Sequence, residues 1–559
     1  MQRTWVLAPV AVVTVLAAQL GPPVPGPTRV AAPRSAAMEA TVEAALAAAN
    51  EAAGWQCALP HRPSAQRTLR SDRAALVFTE PSEPTDPGAA STDTSAKPIA
   101  GFGTGPGQNP RVRVTGTLAR ADSADTFAVP LRAGEVFSAT VRGAGGTLEV
   151  RDPEGTLVEG SGIDRSGSYP SSSPLLGGGN ATVDHVAAVT GTHTITIRPA
   201  KSGSSGASGS AGSAGDAVAP APSAAAPGPA AAPAPDAPEA AAAPAPDAPE
   251  TAATAPSSPN PPAEGTTGTA GTTGAAGVTG TTGGPSTSST AKPAPAGRSY
   301  QVDLGIFRPT AATQQKIVLE FTGATIDTRR FGLETANNQA KLSPLSAFLT
   351  GFGLTAADQP ALIARITDTV RENVSEALGG GTVDVTSADQ PGSSSFGKPG
   401  VSRVVIGGSA KEAGIATVGL AESVDPGNFA KEETALVLLD RLSGAVANPA
   451  ALSHYLPANV DKKTRVEFVG RAVGNIASHE TGHLLGSWHT DAASGKHDLM
   501  APGDVVGAFG FGADKIGGTS DDVRSRFAQD TFAPQEGFTG TEDTHNRTVV
   551  GLRGSPNPD

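Results

Sequence analysis

Between residues 200 and 298 the chain consists almost wholly of Ala, Pro, Gly, Ser and Thr, with the octapeptide APAPDAPE at 232–239 and again at 243–250. Such a tract has too little apolar surface to offset the entropy lost on ordering, so it cannot build a core. Its Pro-rich part is expected to be extended and its GTTGAAGVTGTTGG part flexible, with ends roughly 50–60 Å apart on average. The 559 residues are therefore expected to form separate folded parts, tethered by a disordered linker rather than packed together. A single cysteine, Cys57, rules out an internal disulfide, so each part must rely on its core or on a metal ion. A net charge of -12 argues against non-specific nucleic-acid binding, which needs a basic surface.

The N-terminus places Arg3 ahead of an almost wholly apolar run, Trp5 to Leu20, interrupted by Pro9 and followed by small residues. This is the layout of a secretory signal, assigned to residues 1–32, and it predicts a secreted, extracellular protein that is free of the membrane once the signal is removed. Residues 33–110 read as a leader or pro-region. Its alanine-rich stretch 35–55 favours helix, and the remainder is polar, Pro-rich and mostly irregular.

Residues 111–199 change character. RVRVTGTL, DTFAVPL, EVFSATVRG, GTLEVRDPEG and GTHTITIRP alternate apolar with polar residues and are separated by Gly, Pro and Asp, which predicts a small all-β sandwich. Gly116-Thr117-Leu118, Asp122, Asp125, Phe127, Val129, Leu131, Gly134 and LEVRDPEG at 148–155 resemble the bacterial pre-peptidase C-terminal domain, a module attached to secreted proteases. The resemblance implies a bacterial source.

From Tyr300 the pattern is that of a globular α/β unit. KIVLEFTG (316–323), GTVDVTS (381–387), VSRVVIGG (401–408) and IATVGLAES (415–423) read as strands, and ETALVLLDRL (433–442) as strand or helix. In 356–380, Leu362, Ile363, Ile366, Val370 and Val374 recur at helical spacing before closing glycines. A second helix spans 461–486 and ends in HETGHLLGSWH, which runs to His489 and holds three of the chain's nine histidines.

In that helix His479 and His483 stand at i and i+4, so their imidazoles project from one face, one turn apart, and can hold one Zn²⁺. Glu480 lies between them, placed to act as general base on a water. Gly486 lets the chain leave the helix at positive φ, and the turn can return His489 as third ligand. Three nitrogens and one open position are the layout of a catalytic zinc site.

His479, Glu480, His483, Gly486 and His489 together match H-E-x-x-H-x-x-G-x-x-H, the signature by which this chain resembles the metzincin metalloproteases. The resemblance implies an α+β catalytic domain, at 299–540, with a mixed sheet and a long active-site helix, preceded by the sandwich and linker and followed by an irregular tail at 541–559. It implies a methionine turn beneath the metal, for which Met500, eleven residues after His489, is the candidate. It implies a closing helix, for which GTSDDVRSRFAQDTF is the candidate, with Thr519 and Asp522 as its capping pair. It implies an edge strand that pairs with an extended substrate, for which 415–423 is the candidate.

The expected activity is that of a zinc endopeptidase acting on a protein or peptide, as a monomer. The alternatives are a non-enzymatic secreted surface- or matrix-binding protein carrying an inactive protease-like domain, and zinc-dependent amide hydrolysis on a cell-wall polymer. Cys57 is a candidate latency ligand, since in some metzincins a pro-region thiolate fills the open zinc position; the competing reading is a spare or intermolecular thiol. DKIGGTSDD (514–522) is a candidate Ca²⁺ loop, although it lacks the spacing of a known one, and a solvated loop is the competing reading. His61, His185, His193, His454, His497 and His545 have no ligand spacing and are read as surface or loop residues.

Overall fold

The structure, a computed structural model, describes residues 57–59, 76–79, 96–103, 110–118, 124–199, 298–309, 315–333, 338–381 and 383–553. The signal (1–32), the alanine-rich stretch 35–55, His61 and nearly all of the 200–298 tract lie outside the described residues.

Two sheets face each other in the N-terminal half. One runs in the order Leu76–Thr79, Arg111–Leu118, Arg298–Phe307, Val136–Gly143, Ala181–Val186. The other runs Gln529–Thr531, Phe538–Asp543, Leu157–Ser161, Gly145–Arg151, Gly191–Pro199, Asp125–Leu131, Lys97–Pro98. Alternation turns Phe127, Val129, Leu148, Val150, Ile195 and Ile197 of the second sheet onto Val112, Val114, Ala139, Val141, Val302 and Leu304 of the first, as period two requires when one face is buried.

Several boundaries differ from the expectation. Residues 298–307 do not open the α/β unit; they are the middle strand of the first sheet, with Val302 opposite both Val114 and Val141. The tract at 200–298 is thus an insertion within the sandwich. Loop-closure entropy rises only logarithmically with length, so strand pairing tolerates it. The leader is not wholly irregular, because Cys57–Ala58, Leu76–Thr79 and Lys97–Pro98 each add to a sheet. The expected closing helix within 518–532 does not form. Thr519, Asp521 and Asp522 instead make a turn in which Asp522 accepts Gly518 N at 2.9 Å and pairs with Arg471. The tail is not irregular either: Phe538–Asp543 is a strand and Thr544–Arg553 a helix.

The second core belongs to a six-stranded sheet ordered Cys57–Ala58, Gly419–Ala421, Thr434–Val437, Val401–Ile406, Lys316–Glu320, Asp384–Ala388. All pairings are parallel except Gly419–Ala421 against Thr434–Val437. The helices Gln359–Ala377 and Lys462–Leu484 pack against this sheet and each other, burying Ile366, Val370, Phe468, Val473 and Ile476 with Val404 and Leu439.

The sandwich and the α/β part are not separately tethered bodies. They form one compact unit spanning 1–204 and 294–559. A third cluster joins Val136, Tyr169, Leu176, Val186 and Phe307 to Val424, Trp488, Phe532, Phe538 and Val550. Sequence patterning shows which faces are apolar but not which two faces meet, so this junction left no signal. Among the described residues no helix is long and apolar enough to cross a membrane.

Candidate metal centre

The helix Lys462–Leu484 opens at Asp461, whose carboxylate accepts Thr464 N at 3.0 Å, the usual satisfaction of a first-turn donor. It ends where Gly486 takes φ 100°. A Cβ there would strike the backbone of Asp425 and Pro426, so only glycine lets the chain turn this close to the edge strand. Asp425 N donates to His483 O at 3.1 Å and fastens strand end to helix end.

The turn brings His489 back. His483 Nε2 lies 3.2 Å from His479 Nε2 and 3.1 Å from His489 Nε2. The opposite nitrogen of each ring is engaged: His479 Nδ1 with Leu499 O at 2.6 Å, His483 Nδ1 with Ser487 O at 2.8 Å, and His489 Nδ1 with Glu536 Oε1 at 2.5 Å. Each of these oxygens is an acceptor, so each Nδ1 carries the proton and each Nε2 presents a bare lone pair, a tautomer assigned from its partners. Three lone pairs aimed at one point repel unless a cation sits among them. Burial, then the proximity of His489, holds the His479 pKa down at about 3, and burial followed by the other two rings holds His483 well below its ordinary value. Both rings are therefore neutral and competent to ligate at pH 7.

Cys57 completes the group. Its Sγ stands 3.4 Å from His483 Nε2, and the thiol and three imidazoles present atoms within 4.8 Å of one another. Cys57–Ala58 runs parallel to Gly419–Ala421, Cys57 opposite Gly419 and Ala58 opposite Leu420, so the expected edge strand at 415–423 is covered by a further strand. Burial, then Glu480, pushes the Cys57 thiol well above its ordinary pKa, so without a cation the sulfur is protonated. Three imidazoles and a sulfur suit a tetrahedral, borderline-soft ion such as Zn²⁺.

Glu480 is wholly buried, and burial pushes its carboxyl well above the ordinary range. It fits because Gly419 has no side chain: a Cβ on Gly419 would collide with Glu480 Oε1. Met500 is also wholly buried, and its Sδ lies where a Cβ on Gly482 would need to be. Met500 therefore fills the space under the helix between the first two histidines. Thr490 N donates to Met500 O at 3.0 Å, which ties Met500 to the residue after the third histidine.

Glu536, Gly419 and Trp488 were not among the sequence candidates. Nothing in PQEG marks Glu536 as a histidine partner, and a glycine signals close approach only when its neighbour is known. The acidic stretch at 514–522 is committed to its own turn, with Asp521 Oδ2 accepting Asp514 N at 3.1 Å and Asp514 Oδ1 accepting Ile516 N at 2.8 Å. The expectation that His193 lies on the surface is corrected: it is 1% exposed. His185 is half-buried beside it, the two rings 5.4 Å apart, centre to centre.

No family model matches the chain, and no curated protein matches it. One solved structure similar to part of it is that of Aeromonas hydrophila PliG, a periplasmic lysozyme inhibitor of g-type lysozyme. The identity is 13%, over 22% of this chain and 81% of that one, with a TM-score of 0.12, a likeness too slight to carry an argument.

Proposed function

We propose that this chain is a secreted zinc-dependent endopeptidase of the metzincin kind, held latent by Cys57 as a fourth ligand. The carrying observation is the convergence of three imidazole Nε2 atoms, His483 within 3.1–3.2 Å of the other two, beside a buried glutamate, with each Nδ1 engaged by an oxygen on the outer side. His479, His483 and His489 would hold the ion. Bound there, zinc would polarise a scissile carbonyl and bring the pKa of a water down toward about 7.

The chain's own groups supply the rest. Glu480, whose pKa burial has raised, takes the proton from the attacking water and delivers it to the departing amine nitrogen. The backbone of Gly419–Ala421 is the rail on which an extended peptide would be aligned. Cys57–Ala58 occupies that rail, so the leader must withdraw before a peptide can enter.

The test is zinc analysis with a casein digest, on wild type after leader removal and on Glu480→Ala. Wild type should carry one zinc and cleave; Glu480→Ala should keep the zinc and lose turnover. A wild type that holds zinc without cleaving any peptide would favour the non-enzymatic binder.

A further inference from the structure

The turn between the second and third histidines is gripped from outside the α/β part. Arg547, on the C-terminal helix, donates from Nη1 to Gly486 O at 3.1 Å and to Asp184 Oδ1 at 2.8 Å. Glu542 Oε1 accepts Trp488 N at 2.8 Å and pairs with Arg547 Nε at 2.9 Å. Asp184 is wholly buried on the sandwich strand Ala181–Val186. It accepts Trp488 Nε1 at 3.0 and 3.1 Å and Tyr169 OH at 2.7 Å.

We propose that Asp184 is a positioning residue for the metal ligands: through Trp488 and Arg547 it fixes the Gly486–His489 turn, making the β-sandwich a working half of the metal centre. This rests on the reading that the three histidines bind zinc.

Three features support the assignment. First, the turn orients two of the three ligands, because Ser487 O receives His483 Nδ1 and His489 follows Trp488 directly. Second, a fully buried indole N–H needs an acceptor, and it takes one from the sandwich. A buried carboxylate is costly unless paired, so an appended module serving recognition alone has no need of Asp184 at this junction. Third, the sandwich also holds the third histidine's own partner. Arg165 donates to Glu536 O at 2.7 Å and to Gln535 O at 2.8 Å, and Phe538 pairs with Ser161. The carboxylate on His489 Nδ1 is thereby set from the same side. Partners of metal-bound histidines tune affinity even though they never touch the ion.

The experiment compares wild type, Trp488→Phe and Asp184→Asn as full chains. Trp488→Phe removes the indole donor and part of the buried bicycle but keeps a ring against Tyr169 and Phe538. Zinc affinity is measured by competition with a chromogenic chelator, the site geometry by the visible spectrum of the Co²⁺-loaded protein, and the fold by thermal melting. The expected result is a zinc affinity weakened about 10- to 100-fold and an altered Co²⁺ spectrum, with Trp488→Phe melting at a lower temperature but still in a single cooperative transition. If Asp184→Asn fails to fold, Trp488→Phe decides alone. Wild-type affinity and spectrum in that variant would overturn the proposal and leave the metal reading standing. A wild-type chain that takes up no zinc would overturn both.

Discussion

Cys57 and His483 are separated by 426 positions, yet Sγ and Nε2 lie 3.4 Å apart. The contact forms because Cys57–Ala58 is the outermost strand of the six-stranded sheet, paired with Gly419–Ala421, which carries Cys57 over the histidines. A thiolate in that place would close the coordination sphere and leave no position for water.

The Cys57→Ser variant, with no sulfur to anchor the strand on the ion, should therefore release Cys57–Ala58 from the rail more readily and become active earlier than wild type. Ser has no thiolate to offer, while the three imidazoles still retain zinc. Activity toward a fluorogenic peptide, followed from the moment of secretion, reads this directly. Equal latency in both proteins would show that the strand at Cys57–Ala58, not its sulfur, blocks the site.

Gly419→Ala tests the close approach above the glutamate. The added methyl meets the end of the Glu480 side chain rather than backbone, so the fold can yield by moving that carboxylate. The expected result is retained zinc and a melting temperature within a few degrees of wild type, with kcat at least tenfold lower because a misplaced base loses its share of acid–base catalysis. Unchanged kcat would mean that the base is not where it is drawn.

What the sequence revealed follows from which interactions are local. Spacing on one helix puts His479, Glu480 and His483 in register, and a glycine followed by a histidine returns the third imidazole; all of this is written within eleven residues. Strands of period two were equally legible from Arg111 to Pro199. Partners across the junction were not. Asp184, Arg547 and Glu536 sit at ordinary positions in ordinary segments, and only tertiary packing gives them an indole, a carbonyl and an imidazole to hold. The strand at Arg298–Phe307 was misassigned for a related reason: its alternation is clear, but a tract of about a hundred residues made the following unit look like its home.

That strand changes what truncation should do. A chain of 299–559 alone would lose both neighbours of Ser299–Phe307 and uncover Trp488, Phe532, Phe538 and Val550. It is expected to aggregate or to lose zinc. A full chain nicked only within 205–293 should behave differently, since both fragments belong to one compact unit. They should co-elute on size exclusion in native buffer and retain the metal. Separation of the fragments without denaturant would show that the strand pairing is too weak to join them.

The half-buried His185 of the sandwich sets a pH dependence. Burial first, then His193 and Arg547, holds the His185 pKa well below its ordinary value. The same cavity is lined by Asp152, Glu154, Glu159, Glu542 and Asp543, so nearby acids are present but do not reverse the shift. The unfolded chain binds a proton at His185 below about pH 6.5, whereas the folded chain binds it only at much lower pH. Stability associated with neutral His185 is thus complete above about pH 6.5 and is lost as pH falls below it, at up to about 1.4 kcal/mol per pH unit. Urea unfolding of wild type and His185→Asn at pH 7.0, 6.0 and 5.0 isolates this contribution, because other groups, the zinc ligands included, cancel in the difference. The variant should lose less stability on acidification than wild type. Parallel pH curves for the two proteins would show that His185 is protonated within the fold and that its burial does not exclude the charge.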